Sequence, residues 1–404
     1  MIDFAGCDFG DAERKAVNRV MEGTWLASGK ENEAFEKEFA LHMGVKHAIA
    51  VNSGSSANLL AMASLDLSKG SEVITSGCGF PATLTPILHC GLKPVLVDYD
   101  LTTHNIDLDQ VEDMMGNGCI TAIILAHTLG NPVDMPRLMK VAKSYGVQVI
   151  EDCCEAVGSM YYDDTAAFTF NGRPYKSMGS FGDIGTYSFY PSHQMTALGT
   201  GGMVVTSDDD LALKLRSLRD WGKVCDWDSY LGDHKTRYNF DGYFKQYTYE
   251  TVGYNMKLSE SAAAFGRVQL KKLIQWGCVR RYNHLLLTEA LSDLQNVFVS
   301  VEKLPDAIPS WFGYVLTFKD RSYSRNDFSD YLESKGIRTR PFFAGNITRH
   351  KPFKEYEQDF PVADKLMRDS LFVGVWQGIT TDQLKYMSDV IHRYFKEKPR
   401  KGDK

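Results

Sequence analysis

The chain has 404 residues, more than most single domains hold, so two domains are expected. Its residues are 44% hydrophobic and 24% charged, the balance of an ordinary globular protein. A formal net charge of −6 offers no attraction to phosphate backbones or anionic membranes, which argues against a nucleic-acid partner.

The opening residues MIDFAGCDFGDAERKAVNRV carry acids and no apolar core, unlike a secretory leader. No apolar run reaches the length needed to span a bilayer. Eight cysteines are too sparse for a disulfide framework, so reduced thiols and a cytoplasmic location are expected. Short apolar runs follow at residues 47–51, 72–75, 94–97, 120–126 and 147–151. Helical patterns at 57–67, 108–115 and 135–145 separate them. Strands alternating with helices of this size predict βαβ units and a mostly parallel sheet with both faces covered. Ligands in such sheets bind beyond the carboxyl ends of the strands. Residues 224–251, rich in Asp, Tyr and Gly, are expected to form a long functional loop. Helical patterns resume at 258–275 and run to about 294; strand-like runs at 311–318 and 337–340 then alternate with helices at 325–334 and 381–394. The expected division is a large α/β domain over 1–257 and a smaller α+β domain over 258–404.

Several polar motifs stand at the ends of these apolar runs. Asn52-Ser53-Gly54-Ser55-Ser56-Ala57-Asn58 joins a strand to a helix, where backbone N–H groups and the hydroxyls of Ser55 and Ser56 can meet a phosphate. An ordinary Ser-rich helix cap is the alternative. Phe80, in G-C-G-F-P-A-T, is a candidate for stacking on a cofactor ring, or simply a core residue. Asp152 ends the run 147–151; a carboxylate there can pair with a protonated pyridine nitrogen, or cap a helix. Glu155 follows it as a further cofactor candidate, and Ser188 and Asn255 are candidate phosphate contacts. His47, His89 and His127 lack ligand-like spacing, so no metal site is expected.

Together, Trp25-Leu26-x-x-Gly29, N-S-G-S-S-A-N, G-F-P-A-T, Glu151-Asp152, G-D-I-G-T-Y-S-F, the glycine turn 199–202 and G-Y-N resemble the sugar aminotransferases of fold type I (DegT/DnrJ/EryC1/StrS type) over nearly the whole chain. The resemblance implies pyridoxal or pyridoxamine phosphate, held by Ser55, Ser56 and Ser188, with Asp152 on the pyridine nitrogen. It also implies that Asn255 reaches the phosphate of a neighbouring subunit, hence a homodimer.

One position departs from the pattern. The family motif S-F-x-x-x-K tethers the cofactor to lysine, whereas Ser188-Phe189-Tyr190-Pro191-Ser192-His193 ends in histidine. Imidazole cannot form that covalent link, but with an ordinary pKa of about 6.5 it can move a proton. This likeness extends to the lysine-less 3-dehydrases of 3,6-dideoxyhexose biosynthesis. Ser310-Trp311-Phe312-Gly313, residues 339–346 and 372–375 resemble segments of that branch. The branch implies an NDP-4-keto-6-deoxysugar substrate, loss of the carbon-3 hydroxyl, and re-amination of the cofactor by a donor such as glutamate. Arg340 and Asn346 are candidate sugar or nucleotide contacts, with Arg349 and His350 behind them. One half of the branch carries an iron–sulfur cluster that uses a C-x-C pair after the glycine turn. Here only Cys225 stands in that loop, so no cluster is expected. An aminotransferase that lost its lysine, and a silent nucleotide-sugar-binding protein, are the competing interpretations.

Overall fold

The apolar runs become the spine of a seven-stranded sheet. A computed structural model describes residues 1–224, 242–244 and 247–398. Cys225 and most of the loop expected over residues 224–251 lie outside the described residues. Strands β1 (His47–Val51), β2 (Glu72–Ser76), β3 (Lys93–Val97), β4 (Ile120–Ala126) and β5 (Gln148–Asp152) lie close to their expected positions. Helices α1 (Asp11–Met21), α2 (Lys30–Met43), α3 (Gly54–Ser64), α4 (Pro81–His89), α5 (Leu108–Gly116) and α6 (Met135–Tyr145) precede or separate them.

Three short strands follow, β6 (Met160–Tyr162), β7 (Thr169–Phe170) and β8 (Arg173–Ser177), before β9 (Ile184–Ser188) and β10 (Gly202–Thr206) return to the main sheet. The strand order is β1-β10-β9-β5-β4-β2-β3. All neighbouring pairs are parallel except those made by β10, which runs against both β9 and β1. Central strand residues Val149, Ile150, Ile123 and Ile124 are fully buried. Each stabilises the fold by roughly 1.5–3 kcal/mol through burial, which explains the uninterrupted apolar runs.

Register places the chemistry. Gly202 pairs with Val51 on one side and with Ser188 on the other, so the carboxyl ends of β1 and β9 meet at one point. Asp152 pairs with Thr186, two residues before that point. Gly202 borders Ser53 and Tyr187 so closely that a Cβ would lie 2.5 Å from the Ser53 carbonyl oxygen.

The chain continues through α7 (Asp209–Arg219), α8 (Glu260–Leu270) and α9 (Leu273–Ala290). Strand β11 (Ala307–Ile308) pairs with β6, while β12 (Gly313–Thr317), β13 (Thr339–Pro341) and β14 (Ser370–Gly374) form a three-stranded sheet in the order β12-β14-β13. Helices α10 (Arg325–Ser334), α11 (Pro361–Asp369) and α12 (Thr381–Glu397) complete the second half. The division expected after residue 257 falls ahead of α8, whereas the packing assigns Ala262, Ala263, Leu270 and Leu273 to the first core. The second core starts at Leu287 and recruits Ile2 from the other end of the chain. A buried carboxylate explains the placement of α8: Glu260 accepts the N–H groups of Gly29, Glu31 and Asn32 and so caps α2, whose first residue Lys30 follows a glycine.

Beside the site, fully buried Glu151 accepts N–H groups from Gly179, Phe181 and Gly182 and a bond from His127 Nε2 at 3.0 Å. Because His127 Nδ1 accepts from Val133 N–H, its proton sits on Nε2. Glu151→Ala leaves three backbone N–H donors and the His127 Nε2–H unmet and is expected to cost about 3 kcal/mol. The measurement is the urea midpoint, which falls while the slope stays unchanged.

Candidate functional site

The strand ends open into a cleft of about 620 Å³, walled also by Phe312, Arg340, Pro341, Phe343, Ala344 and Phe372 from the second half of the chain. Its floor is Asp152, only 5% exposed. Asp152 Oδ2 accepts from Asn58 Nδ2 at 2.7 Å and Thr83 Oγ1 at 2.8 Å, and Oδ1 accepts from Cys154 N–H at 3.1 Å. Asn58 is itself fixed, since its Oδ1 accepts from Thr186 Oγ1. A buried anion needs such partners, and here they orient it toward the cleft. Sequence reasoning named neither Asn58 nor Thr83 as functional. The available signal was a pair of polar residues on otherwise apolar helix faces.

One wall is the amino end of α3. Ser53 caps the helix, accepting from Ser56 N–H at 3.1 Å and donating to the Ser56 hydroxyl at 3.0 Å. Ser55 is exposed on the cleft and half-buried Ser53 also lines it, whereas Ser56 is spent on the cap. Gly54 cannot be larger: a Cβ there would lie 2.5 Å from Ser188 Cβ and 2.8 Å from Cys154 Sγ. The result is a narrow cradle of backbone N–H groups and three serine hydroxyls at a positive helix end.

Phe80 precedes α4 and stands 57% exposed at the cleft. Opposite lie aromatic rings contributed by three distant segments. His193 packs on Phe312 at 5.4 Å between centroids, and Phe312 packs on Phe343 and Phe372. His193 Nδ1 is buried without a partner, which leaves Nε2 as the nitrogen open to the cleft. Burial, together with the nearby Arg280 guanidinium, pushes its pKa down to about 3. The ordinary histidine value expected from sequence is therefore corrected: the ring is neutral throughout the physiological range.

Glu155 borders the same cleft. Its Oε2 accepts from Leu129 N–H at 2.8 Å. Leu129 adopts φ +53, a left-handed conformation unusual for a branched residue, which aims that N–H. Burial pushes the Glu155 carboxyl up to about 8; the Leu129 bond opposes this and the Asp152 charge adds to it. Glu155 thus carries a proton at neutral pH.

The remaining candidates divide. Arg340 lines the cleft with its guanidinium 4.1 Å from the Phe4 ring centroid. Asn346 does not reach it: fully buried, it donates to Asp364 and accepts from Thr348, capping a short turn. Arg349 is paired with Asp364 at 2.6 Å and with Glu357, away from the cleft wall. His350 bonds the Ala344 carbonyl. Asn255 is exposed outside the cleft, bridged to Asp220.

A large mixed sheet with one reversed strand, a carboxylate at the end of β5 and an anion cradle at α3 define a fold type I enzyme of the pyridoxal-phosphate class. Residues 8–392 match the DegT/DnrJ/EryC1/StrS aminotransferase family, and the chain belongs to it. It is 39% identical to a dTDP-4-dehydro-2,6-dideoxy-D-glucose 3-dehydratase of Saccharopolyspora spinosa, over 96% of this chain and 86% of that protein. It is 30% identical to a GDP-4-keto-6-deoxy-D-mannose 3-dehydratase of Escherichia coli O55:H7, over 96% and 98% of the two chains. The solved structure of an E. coli GDP-4-keto-6-deoxy-D-mannose-3-dehydratase with bound hydrated pyridoxal phosphate superposes with a TM-score of 0.84 at 28% identity, covering 97% and 99%.

The residues present fit this cofactor. The α3 cradle suits its phosphate, Asp152 its pyridine nitrogen and Phe80 its ring face. Gly54→Ala is expected to weaken cofactor binding at least about tenfold, roughly 1.4 kcal/mol, when titrated by absorbance. Glu155→Gln tests the raised carboxyl. A pKa raised on folding contributes stability that is present below the unfolded value and lost as pH rises toward 8. The variant is therefore expected to melt higher than the parent near pH 8 and no higher near pH 4, by calorimetry at both values.

Proposed function

We propose that this chain is a pyridoxamine-phosphate-dependent 3-dehydratase of a nucleotide-linked 4-keto-6-deoxyhexose, working as a homodimer. The carrying observation is a neutral His193 open to a cleft whose cofactor floor is intact. When bound, the cofactor supplies an amine that condenses with the 4-keto group and a ring that stores electrons as the carbon-3 hydroxyl leaves.

The side chains divide the remaining work. Ser55, Ser188 and the α3 terminus hold phosphate, and Asp152 keeps the pyridine nitrogen protonated. Ser56 supports the cradle through the Ser53 cap. His193 Nε2 accepts the proton and returns it to the departing hydroxyl, which leaves as water. Anionic groups entering the cleft raise the imidazole pKa from its empty-cleft value and strengthen it as a base. Having no primary amine, His193 cannot recapture the cofactor, so a bound substrate goes to elimination instead of amino transfer. Glu155 offers a proton to an oxygen of cofactor or substrate. Arg340, which pairs with no carboxylate among the described residues, is a cleft cation that suits a diphosphate. Asn255, exposed and outside its own cleft, is available to the second subunit's phosphate. An amino donor such as glutamate restores the amine and, in becoming a 2-oxo acid, supplies the two reducing electrons; its nitrogen leaves the deoxygenated sugar as ammonia when water restores the 4-keto group. No iron–sulfur cluster takes part.

The test incubates purified protein with pyridoxamine phosphate, glutamate and a panel of NDP-4-keto-6-deoxysugars, following loss of the carbon-3 oxygen by mass spectrometry. Deuterium from solvent is expected at carbon 3, and His193→Ala is expected to lose at least about a hundredfold in rate. Should the parent never deoxygenate a sugar while His193→Lys transfers an amino group, the lost-lysine alternative holds. Iron analysis of the active preparation is expected to find none.

A further inference from the structure

The most unusual charge outside the described chemistry lies behind His193. Arg280, on α9, is fully buried, with no solvent exposure. Among the described residues no carboxylate pairs with it. Its partners are two backbone carbonyls: Nη1 donates to Trp311 O at 3.1 Å and Nη2 to His193 O at 3.3 Å. Its Nε has no partner. Burying an unpaired guanidinium is costly, so its retention in this place calls for a compensating use.

The geometry shows where that use lies. Phe312, the residue after Trp311, and His193 both line the cleft but come from distant parts of the chain. Gln194, the next residue, also crosses between them, donating to Ser310 O at 2.8 Å and to the Glu155 carbonyl. Phe312 N–H in turn donates to the carbonyl of strained Leu129 at 2.8 Å. Two consecutive residues of the turn after β9 are thus stapled to two consecutive residues before β12, and the imidazole is pressed on the Phe312 ring. We propose that Arg280 is the positioning residue for His193: it clamps the His193 main chain to the Trp311–Phe312 segment and sets an uncompensated positive charge behind the imidazole. This rests on His193 being the base.

The charge has a direction of effect. Burial pulls the Arg280 pKa down only to about 9, so it stays cationic at neutral pH. A fixed cation disfavours imidazolium, and Arg280 is the charged group that lowers His193 after burial itself. The other ionisable groups sharing the cleft are Asp152, Cys154 and Glu155 after β5, Tyr99, Tyr190 and Arg340. Burial leaves Cys154 a neutral thiol and Glu155 protonated at pH 7, so neither offsets Arg280. The clamp therefore fixes where the ring stands, and the charge fixes that it waits without its second proton.

The experiment is 15N-histidine NMR of the full-length protein, with the His193 signal assigned by its loss in His193→Gln, alongside the pH profile of dehydration. In the parent, His193 is expected to stay neutral from about pH 8 down to about pH 5. Arg280→Gln is expected to raise its titration midpoint by about one unit or more, and to move the acid limb of the rate profile the same way, about tenfold at a fixed acidic pH. Arg280→Lys keeps the charge without the two-carbonyl fork; the midpoint should hold while the rate falls about tenfold. A merely structural arginine would lower the melting temperature and leave the titration where it was, and that result overturns the proposal. If neither variant folds, a parent His193 that titrates near its ordinary value of about 6.5 overturns it equally. Should His193→Ala still dehydrate while Arg280→Gln moves the His193 titration, the assignment of His193 as the base fails, whereas the effect of the Arg280 charge on the imidazole stands.

Discussion

The hydrogen bonds to Asp152 constrain this structure more than any other interaction. A carboxylate buried at the end of a central strand must have its lone pairs met, and it draws donors from α3, α4 and its own following turn. Asn58 can serve only because Thr186 on β9 fixes its amide, so the requirement reaches across the sheet. Where α3 sits follows from this, and with it the cradle of N–H groups at its amino end. The close approach of Gly54 to Ser188 and Cys154 then locks the cradle to the ends of β9 and β5. Asp152 and the amino end of α3 are consequently one rigid unit.

The other half of the cleft is built on a different principle. Its wall is aromatic, and its few polar atoms are aimed by backbone geometry. Leu129 holds a left-handed conformation and in return directs its N–H to Glu155 and its carbonyl to Phe312. His193 lies where this wall meets the cofactor floor, with one nitrogen buried and one open. The proton transfer proposed for it needs that orientation more than it needs an unperturbed pKa. The environment supplies two neutral groups of opposite habit near pH 7: an imidazole without its second proton and a carboxyl that keeps its own.

Much of this was legible in the chain. Strands β1 to β5 are buried on both faces, so each appears as an unbroken apolar run, and α6 and α10 have the bounds their periodicity predicts. Ser55, Phe80, Asp152, Glu155, Ser188, His193 and Arg340 converge on one cleft. The reversal of β10 and the small strands β6 to β8 were not legible, because a short strand's direction and partner leave no local pattern. Asn346 and Arg349 were named from or just beyond the motif that holds Arg340, yet the Asp364 carboxylate on α11 binds both and Glu357 also pairs with Arg349. Arg280 passed unnoticed, since an arginine beside another on an amphipathic helix looks solvated until its surroundings are known.

By itself the sequence determined the periodicity of the sheet and its helices, the order of the strand-end motifs, and the loss of a primary amine at position 193. Each is a local property, set by residue type and spacing. Tertiary structure alone decided which polar groups share the cleft, which are consumed in caps and ion pairs, and that His193 is neutral. Those outcomes depend on desolvation and on charges brought together across the fold. Arg280 stands 87 positions from His193 in the chain, and only packing sets its guanidinium against the histidine's carbonyl.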